Sequence, residues 1–275
     1  MIKRRFKPSS VVVFLLIVII CAFSVGPYLY MVMVSFKSKG LVYRPEVWFF
    51  TPTFENYIRA FEKSNLGVYM IHSAIIAFGN CIVSLALGSA TAYALARFSF
   101  RNKEKVAFYM VFIRTLPAVV CVIPLYVLAA EFKILDTHAL LITVYLLFNL
   151  PYTVLMMRGF FEEIPYEVEE SAMIDGCSRF QMLCRIVIPL ARPGLVATAI
   201  FCLINAWNEF VYASLLTSFR VQTVPTIVQL YKSVSGIVWG EMAATGAVAT
   251  LPAIIFAVLV QKQMVRGLSF GAVKG

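Results

Sequence analysis

Residues 164–193 read IPYEVEESAMIDGCSRFQMLCRIVIPLARP, a charged and amphipathic stretch set between long apolar runs. The pattern is too regular for a simple tether between two apolar segments. We therefore interpret the stretch as a surface that contacts another protein at the face of a membrane. In or beside it lie six of the fourteen acidic residues of the chain: Glu162, Glu163, Glu167, Glu169, Glu170 and Asp175.

The overall composition indicates an integral membrane protein. Hydrophobic residues make up 61% of the 275 residues, 14% are charged, and the mean hydropathy is +0.84. A soluble domain carries roughly 25% charged residues. The net charge of +10 comes from short basic blocks that flank apolar runs, and none is long enough to follow a phosphate backbone. We therefore expect a lipid membrane as a partner and no nucleic acid.

Cysteine and histidine usage argues against two kinds of site. The six cysteines form no CxxC pair, four of them lie in apolar runs, and only two histidines are present. Buried free cysteine behaves as a small hydrophobic side chain. We expect no disulfide framework, no metal site, no catalytic residues and no cofactor.

Six apolar windows are long enough to cross a bilayer, which takes about 20 residues in a helix. The first window is longer than the core of a signal peptide, about 7–15 residues, so we interpret it as a retained helix. In lipid each window must satisfy its own backbone hydrogen bonds, which predicts helices. The predicted spans are Val11–Val34, Tyr69–Ala96, Val106–Ala130, Ala139–Met157, Gly194–Ser218 and Met242–Gln261.

The predicted fold class is thus an all-α integral membrane protein with six transmembrane helices. Residues 1–68 are expected to hold the N-terminal membrane helix and an external loop, and residues 69–262 the transmembrane core, with the charged loop at 158–193. Residues 263–275 are expected to form a cytoplasmic tail.

Lysine and arginine are enriched in cytoplasmic connections, so their distribution predicts the orientation. If both termini are cytoplasmic, fifteen of the 24 basic residues lie inside and eight outside, with Arg114 within a span. This solution places the charged loop in the cytoplasm.

The first half of the charged loop has the signals of a short helix that ends at a glycine. Pro165 suits the first helical position, where its missing N–H costs nothing. Glu167, Glu169 and Glu170 follow near the positive end of the helix dipole. Gly176 suits the left-handed position just beyond a helix end.

The second half predicts another short helix. Ser178 and Gln181 have the spacing of a capping box. Phe180, Leu183, Cys184 and Val187 recur at helical spacing as an apolar stripe, and Pro189 and Pro193 are expected to stop the helix. The alternative is a hairpin lying on lipid, although such helices usually carry Lys and Arg on their polar face.

The loop resembles the EAA loop of ABC importer permeases. The family pattern is E-A-A, three residues, glycine, nine residues, and then I-x-L-P. Here Glu170-Ser171-Ala172 is followed after three residues by Gly176, and Ile186-Val187-Ile188-Pro189 begins nine residues later. Ser171 and Ile188 are the two departures from the pattern, and both are conservative.

Other segments resemble the carbohydrate branch of that family. Asn205–Phe210, NAWNEF, is similar to its W-N-E-F stretch, and Leu135–His138 and Asn149–Pro151 also resemble that group. The C-terminal Gln261–Gly275 resembles the G-L-T-x-G-x-V-K-G terminus of the maltose-type permease subunit. Together these segments resemble the smaller subunit of a permease heterodimer.

This resemblance implies a type I ABC importer permease fold whose cytoplasmic coupling-helix loop docks on a separate ATPase. The implied partners are a homologous larger permease subunit, an ATP-binding cassette ATPase dimer and an extracytoplasmic solute-binding protein, in a prokaryotic inner or plasma membrane. No Gly-Lys dipeptide occurs, so the chain has no P-loop and is not expected to be an enzyme. The residues implied in coupling are Glu167, Val168, Glu170, Ser171, Ala172, Asp175, Gly176, Ile186 and Pro189.

Polar residues inside the predicted spans are candidates for the translocation path. Arg114 is the clearest, and it is expected to pair with Glu209. The alternative role of such residues is to join helices by hydrogen bonds or packing. The candidates for the path are Arg114, Asn205, Trp207, Asn208 and Glu209, with Asn80 and Asn149 open to the same two interpretations.

Two other classes of protein fit the sequence less well than a permease. An intramembrane enzyme would need a catalytic pair, such as G-x-S-x-G with a histidine, and none occurs. A secondary transporter predicts inverted repeats and leaves the charged loop unexplained. The substrate stays open among sugars, oligosaccharides, polyols and glycerol-phosphate derivatives.

Overall fold

The computed structural model describes residues 8–233 and 236–271. Two features of the sequence, the basic cluster at residues 3–7 and the last four residues of the tail, lie outside the described residues. The described chain is built almost entirely of helix. Its elements are α1 (Pro8–Ser35), α2 (Glu55–Glu62), α3 (Leu66–Arg97), α4 (Lys103–Thr115), α5 (Ala118–Glu131), α6 (His138–Val144), α7 (Leu146–Glu162), α8 (Tyr166–Ile174), α9 (Arg179–Met182), a π-helical turn (Leu183–Val187), α10 (Ile188–Leu190), α11 (Arg192–Trp207), α12 (Val211–Leu216), α13 (Val224–Ile227), a 3-10 turn (Val228–Tyr231), β1 (Lys232–Ser233), β2 (Gly236–Ile237) and α14 (Trp239–Gly271).

Three helices are long and apolar enough to cross a membrane without a break. They are Val12–Ser35, Leu66–Arg97 and Trp239–Leu259, with 24, 32 and 21 residues. They confirm the first, second and sixth predicted spans to within a few residues. Up to six spans result if each of three bent helix pairs is counted as one.

Each of the other three predicted spans corresponds to a bent pair of helices rather than to one straight helix. Helices α4 and α5 meet at 94°, and α6 and α7 at 43°. The segment Arg179–Leu190 meets α11 at 83°, and α11 ends at Trp207, well before the predicted end at Ser218. The middle of the described chain thus contains short helices that meet at large angles.

The sharpest joint has a local cause at Leu116 and Pro117. A proline disfavours helical backbone in the residue before it, and Leu116 is extended, with φ −65° and ψ 128°. Pro117 is also extended, with ψ 132°, so α5 starts in a new direction. The sequence contains this signal, although hydropathy alone does not reveal it.

The described chain divides into two compact units. The first comprises the described parts of Met1–Leu66 and Val228–Thr250. In this unit the buried Asn56 donates hydrogen bonds to the carbonyl oxygens of Ser35, at 2.9 Å, and Lys37, at 2.7 Å. The end of α1 is thereby fixed to α2.

The second unit comprises Gly67–Ile227 and the described part of Leu251–Gly275. Close contact between α3 and α7 depends on Gly88, because a Cβ there would lie 2.5 Å from a methyl carbon of Thr153. Small residues allow such approach between membrane helices. This unit contains the charged loop and all the residues predicted to be functional.

A loop-to-loop latch within the second unit involves Asp136. Its carboxylate accepts backbone N–H hydrogen bonds from four consecutive residues at 2.9–3.2 Å: Ser218, Phe219, Arg220 and Val221. Partial burial acts to raise the pKa of Asp136, but these four donors outweigh it, and the pKa lies below its ordinary value.

Candidate functional site

The first helix of the charged loop is α8, and it ends as the sequence predicts. Gly176 follows it with φ +83°, a left-handed backbone that favours glycine. The N–H of Gly176 donates to Met173 at 3.1 Å, and that of Cys177 donates to Ala172 at 3.0 Å. This pair of hydrogen bonds is a Schellman motif, which confirms the prediction that the helix ends at Gly176. Pro165 caps the helix from just outside, one position before the predicted one.

The second helix begins with the predicted capping box. Gln181 donates its backbone N–H to Ser178 Oγ at 3.3 Å, and Ser178 donates its backbone N–H to Gln181 Oε1 at 2.9 Å. The prediction that Pro189 stops this helix is wrong, because helix continues to Leu190. A π-helical turn at Leu183–Val187 ends two positions before Pro189 and widens the helix close to the missing N–H of that proline.

Only two of the four residues in the predicted apolar stripe of the second helix are buried. Leu183 and Val187 are buried, together with Met182, against Tyr93 of α3 and Phe161 of α7. The expectation for Phe180 and Cys184 is wrong, because both are exposed. The buried side is the one that meets α3 and α7, and spacing alone could not show which side that is.

A residue missing from the predicted coupling set anchors the loop. The Glu169 side chain is fully buried, and its Oε1 lies 2.5 Å from Nε of Arg97, whose side chain is 8% exposed. The Oη of Tyr93 donates to Glu169 Oε2 at 2.8 Å, and Nη2 of Arg97 donates to the carbonyl of Ile164 at 2.8 Å. An arginine ending an apolar helix was the available signal, but nothing local links it to Glu169.

The opposite side of the loop faces away from the protein. Ile174 and Phe180 are 86% and 75% exposed, and Val168 is also exposed. Ala172 is buried and Ile186 is half-buried. The other predicted coupling residues are exposed: Glu167, Glu170, Ser171, Asp175, Gly176 and Pro189. The loop thus presents acidic and apolar groups side by side.

A second feature is a cavity of about 380 Å³, widely open on one side, whose wall is formed by residues of α4, α5, α7, α11 and α12. Two aromatic rings of its wall, Phe148 and Tyr212, lie 6.4 Å apart and nearly parallel. Trp207 is buried and does not line it. Four of the five predicted path residues do line it: Arg114, Asn205, Asn208 and Glu209.

The predicted ion pair between Arg114 and Glu209 is not formed among the described residues. The Arg114 guanidinium lies over the Tyr152 ring, 5.0 Å from its centre. Glu209 accepts backbone N–H bonds from Tyr212, at 2.9 Å, and Ala213, at 3.1 Å, and so caps α12. Backbone donors at a helix start compete well for a carboxylate. The positive charge of Arg114 is therefore presented to the cavity.

Behind the cavity lies a buried junction of carboxamides. Asn149 of α7 donates to Asn80 Oδ1 of α3 at 2.7 Å and to the carbonyl of Cys202 at 3.0 Å. Asn205 donates to Asn149 Oδ1 at 3.3 Å, and Asn80 donates to the carbonyl of Ile142 at 2.8 Å. Asn80 and Asn149 thus join helices, and Asn205 both joins this junction and lines the cavity.

The fold defines a multi-pass membrane protein, and its two candidate sites are an exposed charged loop and a cavity lined by polar and aromatic side chains. Across the described residues, no group of three or more His, Cys, Asp and Glu could hold a metal ion. Residues 82–270 match the family described as "Binding-protein-dependent transport system inner membrane component". The chain belongs to this family of ABC transporter permeases, and it is a transport subunit rather than an enzyme.

Curated relatives match along nearly their whole length. The chain is 34% identical to the diacetylchitobiose uptake system permease protein DasC of Streptomyces coelicolor, over 91% of this chain and 92% of that one. It is 32% identical to the trehalose/maltose transport system permease protein MalG of Thermococcus litoralis, over 95% and 94%.

A solved structure confirms the fold. A chain of a bacterial ABC transporter involved in the import of the acidic polysaccharide alginate superposes with a TM-score of 0.79 at 23% identity, covering 94% of this chain and 99% of that one. The type I ABC importer permease fold is therefore shown, although at this identity the likeness carries no information on substrate.

Proposed function

We propose that this chain is the smaller transmembrane subunit of an ATP-driven importer for a sugar, an oligosaccharide or a polyol. Relatives at 32–34% identity are named for the uptake of diacetylchitobiose and the transport of trehalose and maltose. The segments NAWNEF and the C-terminal GLSFGAVKG, which resemble the carbohydrate branch, support the same substrate class. A homologous larger permease subunit would complete the transmembrane pathway.

The exposed side of the charged loop carries this proposal. Large exposed apolar side chains outside the spans mark a contact surface, and Ile174 and Phe180 lie on either side of the Gly176 turn. The exposed Glu170 and Asp175 beside them favour a partner with basic or N–H groups. We propose that this partner is the ATPase dimer, and that Glu167, Val168, Ser171 and the turn fit its surface.

The remaining partners and the orientation follow from the same proposal. The basic residues favour both termini and the loop on the cytoplasmic side. A related alginate transporter structure, with a TM-score of 0.69 at 14% identity, contains an alginate-bound periplasmic protein, which supports a solute-binding protein as a partner. We retain 1–68, 69–262 and 263–275 as the functional regions of the chain.

The cavity is proposed as part of the translocation path. Amides from Asn205 and Asn208 can donate to and accept from hydroxyl groups, and the rings of Phe148 and Tyr212 offer apolar faces to a sugar. Such a mixture of polar and aromatic groups is typical of sites for small polar ligands. Trp207, buried on α11 next to the cavity-lining residues in sequence, is retained in the proposed path.

Reconstitution of the complete complex tests the proposal. The chain is placed in proteoliposomes with the larger subunit, the ATPase and the solute-binding protein from its own gene neighbourhood, and uptake of the sugar carried by that binding protein is measured. We expect uptake to require ATP and an intact P-loop in the ATPase. Uptake by the chain alone, driven by a proton or sodium gradient, would instead establish a secondary transporter.

A glycerol-phosphate-type importer is the second candidate, and one observation favours it. Arg114 lines the cavity with no carboxylate paired to it among the described residues, which suits an anionic ligand. Competition between a neutral disaccharide and a glycerol phosphodiester in the same uptake assay distinguishes the two. Preference for the phosphodiester would assign the second function.

A further inference from the structure

One polar interaction of the loop is buried and does not belong to the exposed surface proposed for docking. Both carboxylate oxygens of Glu169 are engaged, one by Nε of Arg97 and the other by the hydroxyl of Tyr93. Arg97 also donates to the carbonyl of Ile164, the residue that precedes the proline before α8. We call these three side chains, Arg97, Tyr93 and Glu169, the α3–α8 link.

The α3–α8 link is a costly way to stabilise a fold. A buried ion pair loses the hydration of both charges, and well-packed apolar side chains often stabilise a protein equally well. A charge-assisted contact that engages both oxygens of a carboxylate does, however, fix the direction and distance between two elements. Here the elements are the last turn of a membrane helix and the helix proposed to dock on the ATPase.

The connectivity shows why such a contact is useful. Helix α7 ends four residues before α8 begins, and α9, the π-helical turn and α10 connect α8 to α11 along the backbone. Helix α3 ends 69 positions before α8 begins, from residue 97 to residue 166, and its Tyr93 and Arg97 side chains bond to Glu169 of α8. The α3–α8 link is the polar part of that contact.

We propose that Arg97 and Glu169 are positioning residues for coupling, which transmit displacement of α8 to α3. This inference rests on the proposed function, in which α8 docks on the ATPase. Helix α3 extends without a break from Arg97 back to Asn80, 17 residues or roughly 26 Å along its axis. Asn80 bonds Asn149, which bonds Asn205 at the cavity wall. Movement at the loop thus reaches the translocation cavity along one rigid helix.

The test compares variants in the reconstituted complex. Arg97→Met with Glu169→Leu removes both charges together, so no unpaired buried charge is left. The two single variants each leave one buried charge without its partner, and they measure the cost of doing so. We expect the double variant to insert, to co-purify with the ATPase and to hydrolyse ATP, while sugar imported per ATP falls roughly tenfold, a typical allosteric coupling. The matched control is Arg59→Met with Glu55→Leu, a partly exposed i,i+4 pair on α2 outside the charged loop and the cavity, which should leave that ratio unchanged.

A second measurement does not depend on the double change. Tyr93→Phe removes one hydroxyl and keeps the ring in its cluster, and it should lower the same ratio less strongly. A spectroscopic probe at the exposed Ile82 of α3 should report an ATP-dependent shift in the wild type that shrinks in both variants.

The outcomes separate this inference from the docking proposal. Wild-type coupling and a wild-type probe response in the double variant would overturn the inference and leave the α3–α8 link as structural only. Failure of the wild-type loop to crosslink to the ATPase through Ile174 or Phe180 would overturn the docking proposal itself.

Discussion

The guanidinium of Arg114 lies 5.0 Å from the centre of the Tyr152 ring, and the same side chain lines the 380 Å³ cavity. Cation and ring are held by α4 and α7, two helices in contact with each other. The planar guanidinium can lie flat on the ring and still offer N–H groups to a ligand. This contact therefore fixes where the positive charge stands in the cavity.

Replacing Arg114 by lysine keeps the charge and loses the planar contact. A cation–π interaction contributes about 1 kcal/mol, so we expect the KM for uptake to rise roughly fivefold in Arg114→Lys. Arg114→Met should raise it further. The measurement is initial uptake rate against substrate concentration, with Arg101→Met, an exposed cation beyond α3, as the control. Equal KM values for Arg114→Lys and the wild type would contradict the assignment.

Removing the amide of Asn149 should destabilise the protein. Asn149→Leu leaves Asn80 and the carbonyl of Cys202 without their donor, and such interhelical bonds contribute about 1–2 kcal/mol. We expect a lower Tm in detergent. Asn208→Leu is the matched control, because Asn208 is exposed and donates only to Ile204 within its own helix. A similar drop for both variants would show that the junction has no special weight.

The turn between the two loop helices should be sensitive to a single methyl group. A Cβ at Gly176, where φ is +83°, costs about 1 kcal/mol, and the surrounding space does not relieve it. We expect Gly176→Ala to insert normally but to co-purify less ATPase and to lose uptake. Gly159→Ala, in the helical interior of α7 with open space around it, should behave as wild type. Full uptake by Gly176→Ala would argue against a rigid turn.

The latch at Asp136 predicts a pH dependence. Because its pKa is lowered in the folded protein, the carboxylate contributes stability that is present above the unfolded pKa of about 3.9 and is lost as pH falls through the folded value. Asp136→Asn should therefore lower the Tm at neutral pH by the equivalent of about 2 kcal/mol. The difference from the wild type should shrink below about pH 4. A constant difference from pH 7 to pH 3 would exclude the charge as the cause.

Local signals predicted the loop well. The capping box at Ser178 and Gln181 and the left-handed Gly176 depend on bonds between residues a few positions apart, which a sequence displays directly. The three unbroken spans were predicted from their length and hydropathy. These features are determined by interactions and hydropathy within a short window of sequence.

Contacts between distant segments were missed, for equally physical reasons. Glu167, Glu169 and Glu170 look equivalent in sequence, and only the position of Arg97 makes Glu169 the buried one. Asp136 appeared as part of a family-like motif, but its partners are backbone N–H groups, which every sequence has. The Arg114–Glu209 ion pair was predicted but is not formed among the described residues, because the Glu209 carboxylate accepts backbone N–H bonds at the start of α12 instead.

The right-angled joint after Thr115 has a consequence for how the chain is made. Helices α4 and α5, with 13 and 14 residues, are each about 20 Å long, whereas the hydrocarbon layer is about 30 Å thick. Neither can stand alone across the bilayer, and their neighbours α7 and α12 are synthesised later. We therefore expect α4 and α5 to become stably held in the lipid only after α7 and α12 have been synthesised.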